Sequence, residues 1–189
     1  MGEKLIKLSE ISKVFKVGED NFTALHDVSL EIDRGAFMSF VGPSGSGKTT
    51  LLNLIGGLDV PSSGNIFFKE RSLSSMSREQ TAEYRRENIG FIFQTYNLLP
   101  VYSVYENVLF PLLLNGDKEK DVRERVMEIV GKVGLTDQFK KRPAQLSGGQ
   151  CQRVAIARAL VKDPLIILAD EPTANLDTEN SLQILELMR

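Results

Sequence analysis

The feature that most constrains the fold of this chain is the glycine-rich stretch at residues 42–49, which fits the pattern GxxxxGKS/T. Glycines at 42, 45 and 47 let the backbone turn sharply and bring its N–H groups close to an anion, where a Cβ atom would intrude. Lys48 adds a mobile positive charge, and a helix predicted from about residue 48 to residue 57 would point its N-terminal dipole at the same anion. Thr49 offers a hydroxyl to a magnesium ion. The pattern therefore predicts a loop that binds nucleotide phosphates.

Strand-like segments surround this loop. Residues 36–41 are a short and mostly apolar run without helical period, which favours a buried parallel strand directly before the loop. Alternating apolar and polar residues over 5–41 predict further strands near the N-terminus, and residues 65–68 and 89–93 predict two more after the loop. The loop therefore lies in the strand-to-helix context that its chemistry requires.

Helices are predicted where a capping box precedes apolar residues at helical spacing. One such box, Ser77 with Gln80, opens a charged helix that is expected to end near Glu87. A second, Ser103 with Glu106, begins a stretch in which apolar residues recur at helical spacing. Residues 95–162 are therefore expected to form an all-helical insertion.

Two carboxylates follow the apolar run at residues 165–169, which is typical of a central parallel strand. Because open α/β sheets bind ligands beyond the carboxyl ends of their strands, Asp170 is expected to hold magnesium directly or through water. Glu171 is expected to be the base or polariser for the water that attacks the γ-phosphate.

A second anion-binding feature is predicted at residues 146–150, Leu-Ser-Gly-Gly-Gln, which precede an amphipathic helix over 151–162. The glycines 148 and 149 permit close backbone approach, while the Ser147 hydroxyl and the helix dipole supply donors. One nucleotide hardly needs two such helix starts from a single chain.

Composition excludes several other classes of protein. The 189 residues are 42% hydrophobic with a net charge of −2, which predicts one globular domain and no nucleic-acid partner. The single cysteine, Cys151, cannot form an internal disulfide, and no Cys or His spacing suits a metal site, so a reducing cytoplasm is expected. The apolar runs are far shorter than the ~20 residues that cross a bilayer.

These motifs resemble those of the ATP-binding subunits of ABC transporters over the whole chain. Residues 42–49 are similar to Walker A, 165–170 to Walker B, and 146–150 to the family signature, while Gln94 resembles the loop glutamine and 174–177 the loop beyond Walker B. The resemblance implies catalytic roles for Lys48, Gln94 and Glu171, and magnesium binding by Thr49, Gln94 and Asp170. The nucleotide-binding set it implies is Phe15, Gly42, Pro43, Ser44, Gly45, Ser46, Gly47, Lys48, Thr49, Thr50, Ser147, Gly148, Gly149 and Gln150.

The resemblance also implies an architecture and a mechanism. The expected fold is α/β: a P-loop NTPase sheet core (1–94 and 163–189) with an N-terminal antiparallel β subdomain and the inserted helical subdomain 95–162. ATP and Mg²⁺ are the expected cofactors. Two copies would pair head to tail, so that the signature of one completes the ATP site of the other. Membrane-spanning subunits would hold the chain at the inner face of the cell membrane.

The sequences at residues 56–59 and 93–100 are similar to those of the lipoprotein-release and macrolide-export branch, which implies a hydrophobic cargo. Other interpretations stay open. The family carries a switch histidine beyond the helix in which this chain ends at Arg189, so an ATP-binding regulatory or truncated module with little hydrolysis is the alternative. Phe15 is either an adenine platform or a core residue. A kinase or GTPase is disfavoured, because the signature has no use there and no Asn-Lys-x-Asp guanine reader occurs.

Overall fold

The structure, a computed structural model, describes residues 3–172, and the chain divides into two compact units between Arg85 and Arg86. Each unit has its own sheet. The division expected from the sequence, with a helical subdomain over 95–162, remains a prediction. The predicted loop at 174–177 and the final helical pattern at 180–189 lie outside the described residues.

The first unit is built on a four-stranded antiparallel sheet with the strand order β2-β1-β3-β4. Its strands are β1 (Lys4–Val17), β2 (Asp20–Asp33), β3 (Ser63–Phe68) and the short β4 (Arg71–Ser72). Along β1, Ile6 and Leu8 alternate into the core, as in a half-buried strand. The register shifts between Leu8 and Ile11, and both Ile11 and Leu5 are buried as well. The N-terminal antiparallel β portion is thus confirmed.

Two helices complete this unit. Helix α1 (Lys48–Ile55) follows the glycine-rich loop, and helix α2 (Arg78–Asn88) spans the boundary between the units. The predicted capping box of α2 is present, because Ser77 N–H donates to Gln80 Oε1 at 2.9 Å and Gln80 N–H donates to Ser77 Oγ at 3.3 Å. Tyr84 of α2 donates its hydroxyl to the carbonyl of Ile55 at 2.9 Å, which ties α2 to the end of α1.

The prediction of a strand at residues 36–41 is wrong. These residues have no regular secondary structure, and none of the described strands pairs with them. Phe37 is 66% exposed and Val41 is 94% exposed. An apolar run shows that a segment could be buried, but a strand exists only through hydrogen bonds to a neighbour, and the run does not specify that neighbour.

Among its described residues, the second unit combines a parallel strand pair with three α-helices. Strand β5 (Ile89–Ile92) pairs in parallel with β6 (Ile166–Ala169), which confirms both predicted strands. The helices are α3 (Val104–Leu114), α4 (Glu119–Lys132) and α5 (Gly148–Leu160). They pack around one apolar cluster that includes Val108, Leu112, Val126, Val130, Val154 and Ala157.

The capping-box rule predicted the start of α3 correctly, but not that of α5. The capping box of α3 is present, with Glu106 N–H donating to Ser103 Oγ at 3.2 Å and Ser103 N–H to Glu106 Oε2 at 2.7 Å. Helix α5 begins at Gly148, earlier than the expected residue 151, because Ser147 already caps it. Within residues 3–172, no helix combines the length and hydrophobicity needed to span a bilayer.

Candidate functional site: a phosphate loop and a paired amide and carboxylate

The glycine-rich loop adopts a conformation that only glycine tolerates. Gly45 and Gly47 have φ angles of 80° and 87°, in the left-handed region. A Cβ atom on Gly47 would lie 2.5 Å from the carbonyl oxygen of Ala24 and 2.8 Å from a methyl group of Leu25, both on β2. The loop is therefore pressed against the first sheet, and the glycine at 47 is required by both conformation and space.

Lys48 folds back into this loop. Its ammonium donates to the carbonyl of Gly42 at 2.8 Å and to that of Pro43 at 2.9 Å, and it lies 3.5 Å from Ser46 Oγ. The loop thus curls around a positive charge. No described side chain caps the start of α1, whose N-cap is Gly47, so the helix N-terminus presents backbone N–H groups without a competing side chain. Charge and N-terminus together fit a phosphate group.

The remaining predicted residues of this loop have clear places. Thr49 and Thr50 form the first turn of α1 together with Lys48. Gly42 is close to Ser46, since a Cβ on Gly42 would lie 2.8 Å from Ser46 Oγ. Pro43 and Ser44 lie between Gly42 and Gly45, in the turn that leads to α1.

The second unit brings together two predicted catalytic side chains. Gln94 follows β5 and Glu171 follows β6, and because the two strands are parallel their carboxyl ends meet at one edge. Gln94 Nε2 donates to Glu171 Oε2 at 2.7 Å. Asp170 N–H extends the ladder by donating to the carbonyl of Ile92 at 2.9 Å. The pair fits the task of orienting a water molecule.

The same edge suits a magnesium ion. Because the amide nitrogen of Gln94 donates to Glu171, its carbonyl oxygen is the atom left to approach a cation. Asp170 supplies a carboxylate one residue beyond the strand, and carboxylate, amide and hydroxyl oxygens are the ligands that Mg²⁺ takes together with substrate phosphates. The described residues contain no group of three or more His, Cys, Asp or Glu arranged around a metal. The oxygen donors at this edge fit a cation that binds together with nucleotide phosphates.

Gln152 was not predicted from the sequence, although it controls the backbone beside Glu171. It is 1% exposed, and its Nε2 donates to the carbonyl of Pro172 at 2.7 Å. Glu171 has a φ angle of 49°, which is unusual for a residue other than glycine. A buried amide thus fixes the carbonyl next to this strained residue. Only its place two residues after the signature could have drawn attention to it.

The signature forms the start of α5. Ser147 Oγ accepts the N–H of Gln150 at 3.2 Å, and Gln150 Oε1 accepts the N–H of Ser147 at 2.9 Å, so the helix has a complete capping box. A hydroxyl that accepts a hydrogen bond can still donate its own proton. A Cβ on Gly148 would lie 3.0 Å from the Tyr96 hydroxyl oxygen. The Ser147 hydroxyl and the first N–H groups of the helix, at Gly148 and Gly149, can meet an anion.

Phe15 lies on the surface of the first unit. It pairs with Phe22 across β1 and β2 and is 37% exposed, so it is not a fully buried core residue. The ammonium of Lys13 lies 5.0 Å from the ring centroid and is held by Asp59 Oδ1 at 2.7 Å. This arrangement leaves Phe15 available as a platform for a flat base.

The phosphate loop at residues 42–49, the side chains at the carboxyl ends of β5 and β6, and a family comparison together define the class of this protein. The ABC transporter family model matches residues 25–174, and the chain belongs to that family. It is the ATP-binding and ATP-hydrolysing subunit that powers such a transporter.

Individual relatives extend the match over nearly the whole chain. The lipoprotein-releasing system ATP-binding protein LolD of Idiomarina loihiensis is 43% identical over 188 residues, which cover 100% of this chain and 82% of LolD. An ABC transporter ATP-binding protein of Thermotoga maritima is 46% identical over 187 residues, covering 99% of this chain and 80% of that protein.

Solved structures agree with this assignment. The ATP-binding cassette MJ0796, in a dimeric post-hydrolysis state bound to ADP and Pi, superimposes with a TM-score of 0.93 at 41% identity, over 97% of this chain and 81% of that one. A second dimeric structure of MJ0796 gives a TM-score of 0.92 at 42% identity with the same coverage. The α/β fold of the P-loop NTPases is thereby confirmed.

Proposed function

We propose that this chain binds MgATP in a site completed by a second copy and uses its hydrolysis to extract or export a hydrophobic cargo through membrane-spanning subunits. The observation that carries the proposal is the 2.7 Å contact between Gln94 and Glu171 at the carboxyl ends of two parallel strands. A carboxylate held by an amide at this edge of the sheet is placed to orient and deprotonate water.

Each chemical role falls to a named side chain. Lys48 and the N-terminus of α1 bind the β- and γ-phosphates, and Phe15 supports the adenine. Thr49, Gln94 and Asp170 hold magnesium, which when bound neutralises charge on the phosphates. Glu171 accepts a proton from the attacking water.

The second copy is proposed because the chain carries two separate anion-binding helix starts. Ser147, Gly148 and Gly149 at α5 fit the γ-phosphate held by Lys48 of the partner. The dimeric assemblies reported for MJ0796 support this arrangement. Head-to-tail pairing gives each of two ATP molecules one phosphate loop and one signature.

The cargo is proposed from the relatives. LolD is described as part of a lipoprotein-releasing system. The sequence at residues 93–100 is similar to that of the lipoprotein-release and macrolide-export branch. The chain is then peripheral, held at the cytoplasmic face of the cell membrane by its partner subunits. In proteoliposomes with those subunits, a lipid-modified protein should stimulate ATP hydrolysis more than its unmodified form.

Replacing Glu171 by Gln tests the hydrolysis mechanism. The carboxamide keeps the size of the side chain but cannot take up a proton, so turnover should fall by about 10²- to 10⁴-fold while the Kd for ATP stays within about twofold. The measurements are phosphate release and ATP titration. Glu124→Gln on the exposed face of α4 is the matched control and should retain turnover. An undiminished rate in the Glu171 variant contradicts the proposal. ATP binding without turnover in the unmodified protein would favour the regulatory alternative.

A further inference from the structure

A guanidinium from α5 grips the loop that follows Gln94. Arg158 Nη1 donates to the carbonyl of Asn97 at 2.5 Å, and its Nη2 donates to the carbonyl of Tyr96 at 2.7 Å. Arg158 is half-buried, and burial lowers the pKa of its guanidinium. A partly desolvated fork of donors on two adjacent carbonyls is a rigid attachment, because both bonds use a planar group of fixed geometry.

The gripped loop has a backbone conformation that needs external support. Tyr96 and Asn97 have φ angles of 59° and 47°, in the left-handed region, which a residue such as Tyr96 keeps only where its surroundings hold it there. Within the loop, Tyr96 N–H donates to Phe93 O at 3.1 Å, Asn97 N–H to Thr95 O at 2.7 Å, and the Thr95 hydroxyl to Asn97 Oδ1 at 3.1 Å. The two bonds from Arg158 add long-range contacts to the carbonyls of Tyr96 and Asn97.

Helix α5 also holds the other partner of the catalytic pair. Near its start, Gln152 donates to the carbonyl of Pro172, directly after Glu171. Near its end, Arg158 holds the loop directly after Gln94. Side chains of α5 therefore hold the backbone next to both Gln94 and Glu171, which make the 2.7 Å contact. The N-terminus of the same helix carries Ser147 of the signature.

We infer that Arg158 is a positioning residue for ATP hydrolysis: it fixes the loop of Gln94 on α5 so that the amide meets Glu171. The inference rests on the proposed function, in which Gln94 and Glu171 orient the attacking water. Arg158 itself does not touch the reacting atoms. Its effect is geometric, and a displacement of about 1 Å at a reacting group can reduce a rate by about 10²-fold.

Three substitutions isolate this role. Arg158→Met keeps the apolar stem and removes the guanidinium, and we expect kcat to fall about 10- to 100-fold with KM for ATP within about twofold. Arg158→Lys keeps a positive charge but offers a compact ammonium in place of the planar guanidinium. Its kcat should therefore lie between those of the unmodified protein and Arg158→Met. Arg125→Met, on an exposed position of α4, is the matched control and should leave both constants unchanged.

A double-mutant cycle separates positioning from general stabilisation. If Arg158 acts through Gln94, then Arg158→Met should change kcat little in a Gln94→Ala background, because the group it positions is already gone. A multiplicative loss in the double variant overturns the inference, and so does an Arg158→Met variant with undiminished kcat.

Hydrogen exchange tests the same attachment without activity. In Arg158→Met, the amides of Tyr96 and Asn97 should exchange faster, while those of β5 keep their protection. Unchanged exchange at Tyr96 and Asn97 overturns the inference. A fully active Gln94→Ala variant would instead refute the proposed role of Gln94, and the exchange experiment would still decide whether Arg158 holds the loop.

Discussion

The two helix starts that bear the anion-binding motifs are built differently. Helix α1 has Gly47 as its N-cap, with a φ angle of 87° and no side-chain hydrogen bond at the cap. Helix α5 has Ser147 as its N-cap in extended conformation, and a complete capping box with Gln150. Both helices direct a positive dipole end at an incoming anion.

The two starts divide their hydrogen-bond donors differently between fold and ligand. In this structure the ammonium of Lys48 donates to the carbonyls of Gly42 and Pro43, and the loop depends on glycine conformation for its shape. We propose that a phosphate takes over this ammonium together with the backbone N–H groups of α1. At α5 the capping box satisfies the N–H of Gln150 internally, which stabilises the helix but leaves fewer donors for a phosphate. We therefore propose that the first start is the main phosphate cradle and that the second makes a supplementary contact to a phosphate held elsewhere.

The largest effect should come from removing the charge of the main cradle. A hydrogen bond to a charged group contributes about 1.5–3 kcal/mol, so Lys48→Ala should weaken ATP binding roughly 10- to 150-fold and abolish measurable turnover. Titration with a fluorescent ATP analogue measures the affinity. Lys16→Ala, on an exposed position of β1, is the control that should bind as before. ATP affinity within twofold of the unmodified protein would contradict the cradle assigned to α1.

Glycine substitutions should distinguish the two starts next. In Gly47→Ala the new methyl group meets a backbone oxygen at 2.5 Å in a left-handed conformation, so we expect a loss of about 1–3 kcal/mol in the free energy of unfolding together with weak ATP binding. In Gly148→Ala the methyl group meets the movable Tyr96 hydroxyl at 3.0 Å, and alanine favours the helix.

The Gly148→Ala protein should therefore unfold at the same denaturant concentration or higher, bind ATP normally and hydrolyse it more slowly. Chemical denaturation and steady-state hydrolysis on the same samples measure both properties. Equal destabilisation by the two alanines would show that the starts do not differ in the way described.

Sequence reasoning was accurate where the rules are local. The predicted capping boxes at Ser77 and Ser103 depend on residues three positions apart, and both are present. Periodicity also predicted strands β5 and β6, whose parallel pairing then placed Gln94 beside Glu171.

Sequence reasoning failed where a distant partner decides the structure. The apolar run at 36–41 predicted a strand, but no described strand pairs with it. Arg158 binds carbonyls about sixty positions earlier in the chain, and Gln152 binds one twenty positions later. The left-handed conformations of Tyr96 and Glu171 carry no glycine signal. Such features depend on tertiary contacts, to which local patterns are blind.

The smallest effect concerns the hydroxyl of the supplementary start. Ser147→Ala and Ser77→Ala each remove an N-cap that pairs with a glutamine three residues later, and each should cost about 1 kcal/mol in the free energy of unfolding. Only Ser147→Ala should also slow ATP hydrolysis, by about 2- to 10-fold, since it alone removes a donor to phosphate.

Urea denaturation and phosphate release on both variants make this test. Equal hydrolysis rates in the two would assign Ser147 to the helix cap alone. A Ser77→Ala protein as slow as Ser147→Ala would trace the loss to stability. If the rates separate while the stabilities match, the hydroxyl at α5 serves both the fold and the phosphate.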